Sequence, residues 1–179
     1  MIEQDEQDAT RRLVVRSADG TALRRWPLPA TGAVQWLPWP ARRSLLVAPG
    51  ELPELWEISL DPRAEDRYDG LVHDFRMGEG VPEPGFLHRR RIALAGPVHA
   101  WAADSGGTLL VLVIARPLAG GAPLLQGWNL DARRIAMRWP WPAGALPGEP
   151  PWIDEAAGLL WLPDAASPRP HCLPIDGRC

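Results

Sequence analysis

Six side chains between Tyr68 and Ile92 concentrate the chemistry this sequence offers: His73, Arg76, His88, Arg89, Arg90 and Arg91. A guanidinium pairs with a carboxylate through two parallel hydrogen bonds, supplying charge and geometry together. An imidazole can ligate iron or carry a proton near neutral pH. A ligand bearing carboxylates is what such a set could bind. The plainer reading is structural: His73 and Asp74 fix the segment by hydrogen bonds, and the arginine triplet is the solvated edge of a strand.

The remaining candidates are weaker. His99 begins an apolar strand and reads as a half-buried strand residue. His171 sits beside Cys172, and adjacent ligands chelate one metal poorly. Glu79 and Glu83 flank Gly80-Val81-Pro82 and could form a proton-transfer pair, although acids in such a loop are usually only solvated. Trp139 and Trp141 flank Pro140 and could present an aromatic face, with core packing the simpler role. No phosphate-cradling glycine loop, nucleophile elbow or His-Glu-x-x-His helix occurs. Cys172 and Cys179 read as free thiols rather than as a structural disulfide or a zinc knuckle.

Composition narrows the class. The chain has 179 residues, 19 Lys+Arg against 22 Asp+Glu and a net charge of -3, which gives no general basic field, so nucleic acid is not an expected partner. All the basic residues are Arg; with 21 Pro and 10 Trp this bias matches a GC-rich coding background and is discounted as a functional clue. The start, Met1-Ile2-Glu3-Gln4-Asp5-Glu6-Gln7-Asp8, is acidic, the reverse of a secretory leader, so the expectation is a disordered acidic stretch over 1–10 and a cytoplasmic protein. No apolar run is long enough to span a membrane.

The elements that must position these groups are strands. Pro or Gly interrupts nearly every stretch of helical length, while short apolar runs alternate with turn dipeptides. Leu13-Val14-Val15-Arg16, Ala18-Asp19-Gly20 and Ala22-Leu23-Arg24-Arg25-Trp26 read as a hairpin. Ser105-Gly106-Gly107 and Ala156-Ala157-Gly158 read as similar turns. A repeat lies over this pattern: a Trp-bearing strand, a strand with Leu-Leu, then a strand ending in Asp. It runs through Trp36, Leu45-Leu46 and Asp61, then Trp101, Leu109-Leu110 and Asp131, then Trp152, Leu159-Leu160 and Asp176. Repeats of this period point to propeller blades. The expected fold is therefore all-β: β-propeller-like blades of antiparallel strands, about three in number, in one domain over 11–179. The Trp residues are expected to pack blades, and the segment Arg63 to Arg91 is an insertion between the first two repeats.

That insertion also carries a resemblance. Pro53-Glu54-Leu55-Trp56-Glu57-Ile58, Tyr68-Asp69-Gly70-Leu71-Val72-His73-Asp74-Phe75-Arg76-Met77-Gly78-Glu79-Gly80, Glu83-Pro84-Gly85-Phe86-Leu87-His88-Arg89-Arg90-Arg91-Ile92 and Asn129-Leu130-Asp131-Ala132-Arg133-Arg134-Ile135-Ala136 together resemble the d1-haem domain family. That family comprises the haem d1 propeller of cytochrome cd1 nitrite reductase and the related proteins of haem d1 biosynthesis, and the likeness is nearer to the biosynthetic members. It implies an eight-bladed propeller holding haem d1 on its axis, a role in denitrification, haem d1 or a precursor as cofactor, and a periplasmic setting. On this reading His73, Arg76, His88, Arg89, Arg90 and Arg91 are the cofactor-binding set. The chain departs from the family pattern where a Pro-His-x-Gly loop would stand: Gly144-Ala145-Leu146-Pro147-Gly148 has no His. Nitrite reduction by this chain alone is not expected. A homodimer, or a second propeller protein completing the ring, is the expected partner, and a non-catalytic interaction module that has lost the cofactor site is the alternative function.

Overall fold

The computed structural model describes residues 1–7, 10–68, 82–132 and 134–175. The strands are β1 (Ile2–Gln7), β2 (Thr10–Arg16), β3 (Ala22–Pro27), β4 (Val34–Trp39), β5 (Ser44–Pro49), β6 (Glu54–Ser59), β7 (Arg67–Tyr68), β8 (Pro82–Glu83) and β9 (Arg89–Ala93). They continue with β10 (Ala100–Ala103), β11 (Leu109–Ile114), β12 (Leu124–Asn129), β13 (Arg134–Trp139), β14 (Trp152–Asp154), β15 (Leu159–Asp164) and β16 (Ser167–Pro174). The one helical element among the described residues is a single 3-10 turn at Pro40–Arg42, and no helix there is long and apolar enough to cross a membrane.

The fold is all-β, built of blade-like meanders. Four sheets follow in chain order, β1-β2-β3, β4-β5-β6-β9, β10-β11-β12-β13 and β14-β15-β16, with β7-β8 forming a small ribbon at the neck of the insertion. The expected turns stand where the dipeptides place them. Asp19 accepts from the Thr21 amide at 3.0 Å to shape the first hairpin, and Gly107 and Gly158 take positive φ after β10 and β14. Asp61 and Asp131 follow the third strand of their sheets, as the repeat requires; Asp176 lies outside the described residues.

One expectation is replaced. The acidic start is a strand, with Glu3 opposite Val14 and Asp5 opposite Arg12 in register. Cross-strand polar pairs make the difference: Arg16 binds the Glu3 carboxylate, and Arg11 Nη2 donates to the neutral Gln4 Oε1 at 3.0 Å. The first sheet thus has three strands where two were expected.

By their contacts the residues fall into two compact units, Met1–Gly50 with Leu55–Ile92 and Glu51–Glu54 with Ala93–Cys179. In the first unit all six residues of β5 are buried, and Leu55, Trp56 and Ile58 of β6 complete its apolar layer. A continuous apolar run marks a central strand covered on both faces. In the second unit Val111, Val113, Leu125 and Trp139 of one sheet pack against Leu160 and Leu162 of the next, with Ile153 and Leu173 at the margin. There the first strands of the two sheets, β10 and β14, lie against one another.

The free edge of β16 has a particular chemistry. Ile175 donates to Gly158 O at 2.9 Å, and Leu160 is opposite Leu173 and Leu162 opposite His171 in the same register. Alternation then turns the backbone of Pro170, Cys172 and Pro174 outward. Two of those three positions have no amide hydrogen, and the Pro174 carbonyl accepts from Trp139 Nε1 at 2.8 Å.

Candidate functional site

Two regions gather chemically capable side chains, one in each unit. The first is the base of the insertion. The chain leaves β6 at Asp61, whose Oδ1 accepts from the Arg63 amide at 3.0 Å and from Arg43 Nη1 at 3.3 Å; these, the Arg63 amide foremost, hold the carboxyl below its usual range. It returns through a tight turn. A Cβ on Gly85 would lie 2.0 Å from the Glu65 carbonyl oxygen, so only glycine passes there. Leu87, buried, takes φ of 60°, a left-handed conformation that strains a side-chain-bearing residue. Ser59 and His88 then pair, Ser59 N–H donating to His88 O at 3.0 Å, and Leu94 N–H reaches Pro53 O at 2.8 Å farther along, so β9 runs antiparallel to β6.

This geometry fixes the sides of the sheet to which the arginine run points. His88 is buried at 9 % exposure. Arg89 lies with its guanidinium carbon 4.6 Å from the centroid of the Trp56 ring, a cation–π contact over a fully buried indole. Arg90 Nη1 is 4.0 Å from Glu57 Oε2, and Arg42 Nε is 3.4 Å from Oε1 of the same carboxylate. Arg91 is exposed. Successive strand residues face opposite sides, so Arg89 and Arg91 share one face with Trp56 while Arg90 shares the other with Glu57. His73 and Arg76 lie outside the described residues.

The second region is a cleft of about 550 Å³ in the second unit, walled by Gly148, Glu149, Trp152, Asp164, Pro168 and Pro170 among others. One wall is the loop in which the expected histidine is missing. Asp164 ties that loop down: its Oδ1 accepts from the Leu146 amide at 2.9 Å and from the Ala166 amide at 2.9 Å, and Ala165 N–H donates to Leu146 O at 3.1 Å. The Leu146 and Ala166 amides, and then His171 beside Oδ2 at 3.4 Å, hold the Asp164 carboxyl below the usual carboxylate range. Trp141 Nε1 donates to Ala145 O at 2.9 Å and His99 Nε2 to Gly148 O at 3.1 Å. Trp152 stacks on Trp161 with centroids 5.8 Å apart and planes 9° from parallel, and remains 46 % exposed.

Sequence reasoning missed this cleft. His99 is exposed rather than half-buried, and it supports the loop. Trp36 and Trp152 were expected to pack blades, yet at 39 % and 46 % exposure they are the open tryptophans, both on the first strand of a sheet. Trp139, by contrast, is buried as expected. The signal available was the repeat itself, which puts Trp36, Trp101 and Trp152 on first strands, away from the central strands that carry the apolar runs. Cys172 is a free, exposed thiol, and Cys179 lies outside the described residues. Among the described residues no group of three His, Cys, Asp or Glu side chains could hold a metal ion.

No protein-family model matches the chain, and no curated protein matches it. Among solved structures, the chain is similar to dihydro-heme d1 dehydrogenase NirN in complex with DHE, at 14 % identity and a TM-score of 0.48. The match covers 95 % of this chain and 34 % of that one, so the chain spans about a third of that protein's length.

Proposed function

We propose that this chain is a haem d1-associated protein of the nitrite-reductase pathway, a blade-built module that binds haem d1 or a precursor, or helps in its assembly, without itself reducing nitrite. What supports the reading is the resemblance of the stretch Tyr68 to Ile92, with its His and Arg content, set between the third and fourth strands of a four-stranded sheet. A tetrapyrrole's carboxylates call for guanidinium partners on one side of the ring. The described members of the set do not meet that need by themselves: Arg90 faces away from Arg89 and Arg91, Arg89 stacks on Trp56, and His88 is buried. His73 and Arg76 are therefore proposed to complete the set with His88, Arg89, Arg90 and Arg91, and no chemical step is assigned to the ring. On this proposal residues 11–179 act as one propeller-like domain, completed by a second copy or by another propeller protein, and the periplasm is the setting implied by the resemblance.

A visible-absorption titration of the chain with haem d1 and with protohaem tests this. The expected result is a saturable shift, stronger for haem d1, that weakens in His73→Ala and Arg91→Ala. No shift with either ring overturns it.

The position of β9 favours a second reading, an interaction module without cofactor. β9 is the fourth strand of its sheet, about 14 Å from the first strand at ordinary strand spacing. A ring held on a propeller axis is lined by first strands. A dimeric mass in solution, with no tetrapyrrole binding, would select this reading.

A further inference from the structure

We propose that the cleft of the second unit binds a flat organic cation, a guanidinium or amidinium group. The platform is Trp152: one face of its indole is fixed against Trp161 and the residue is still 46 % exposed, so a ring is presented without freedom to turn. An indole face attracts a cation through its quadrupole, and a flat delocalised one best, because it is weakly hydrated and stacks. This protein makes the same contact internally, with Arg89 over Trp56 at 4.6 Å.

Charge points the same way. The acids Glu149 and Asp164 are in the wall, and no Arg is; Arg169, between two wall prolines, is not part of it. The Asp164 side chain is only 7 % exposed and is fastened as a carboxylate by two amides, so its negative charge is permanent at neutral pH. His171 Nε2 lies 3.4 Å from Asp164 Oδ2. Pro163, Pro168 and Pro170 contribute apolar walls without amide hydrogens, which leaves an anion little to bind and a flat cationic body a dry edge. The volume, about 550 Å³, suits a small molecule or a single side chain. Glu149, exposed on the rim, is placed as the pairing carboxylate. This inference is independent of the tetrapyrrole reading, which concerns the other unit.

The test is a titration of the full chain with benzamidine, followed by the indole N–H resonances in nitrogen–proton correlation spectra, with neutral benzamide as the matched control. The expected result is a saturable shift at Trp152 and Trp161, with benzamide binding about tenfold more weakly, and with loss of binding in Trp152→Ala and weakening of several fold in Glu149→Gln. Agmatine and a blocked Gly-Arg-Gly peptide then separate a free cation from an arginine of a protein partner as the source. Equal shifts with benzamide, an unchanged affinity in Glu149→Gln, or no movement of the Trp152 resonance would overturn the proposal.

Discussion

The base of the insertion and the cleft both bring a tryptophan and carboxylates together, with arginines at the base and none in the cleft wall, and use them in opposite ways. At the base, three cations are taken up by the fold: Arg89 covers Trp56, and Arg42 and Arg90 flank Glu57. In the cleft no arginine lines the wall: Trp152 is 46 % exposed beside Trp161, and Asp164 is engaged by the Leu146 and Ala166 amides and by His171. At the base the protein's own side chains engage Trp56 and Glu57, whereas in the cleft a sparse, scattered set lines an open cavity. What separates them is whether the protein's own side chains already satisfy the group.

That contrast can be broken most forcefully at the two tryptophans. Trp56→Ala removes a buried indole and the support of Arg89, and is expected to cost about 3–5 kcal/mol in chemical denaturation. Trp152→Ala, at an exposed position, is expected to cost less than about 1 kcal/mol. Equal costs would mean that the two rings do the same job. Next in size, Gly85→Ala drives a Cβ into the Glu65 carbonyl and is expected to destabilise the first unit by about 3 kcal/mol, seen as a lowered thermal midpoint. Glu57→Ala strips Arg42 and Arg90 of a shared partner that is 16 % exposed; a loss of about 1 kcal/mol is expected, diminished by salt.

The smallest effect is the pH response of the cleft wall. Asp164 has its carboxyl pKa lowered in the folded chain, chiefly by the Leu146 amide. Its contribution is then present above the unfolded carboxyl value of about 4 and is lost as pH falls through the lower folded value. The protection of the Leu146 and Ala166 amides, taken relative to their intrinsic exchange rates at each pH, should fall only on that acid side, and Asp164→Ala should abolish it at every pH. Protection that persists at acid pH would remove the Asp164 clamp from the account.

The strands and the repeat were legible because both rest on local rules. Asp19-Gly20 closes its hairpin through the Asp19 side chain, and Leu45-Leu46 and Leu109-Leu110 sit in central strands whose apolar runs announce burial. β1 was not legible, because its acidic and amide residues have little strand preference and its side-chain partners, Arg11 and Arg16, stand on the next strand. The fate of Arg89 to Arg91 turned on alternation against β6, a partner beyond the insertion. The cleft was hidden for a related reason: Leu146, Trp152, Asp164 and His99 are distant in sequence and meet only through tertiary contacts. The loop was noticed in the sequence for a residue it lacks, and its structural interest lies in what its backbone touches.

The prolines of β16 have a consequence for how this chain behaves at high concentration. Fibre growth needs an edge that offers alternating donors and acceptors to an incoming strand, and this edge has lost donors at Pro170 and Pro174 and an acceptor to Trp139. A nascent or partly opened chain therefore presents a C-terminal sheet that cannot serve as a template for cross-β stacking. Replacing Pro170 and Pro174 with valine would restore both missing donors, turning a terminated edge into a nucleus for polymerisation.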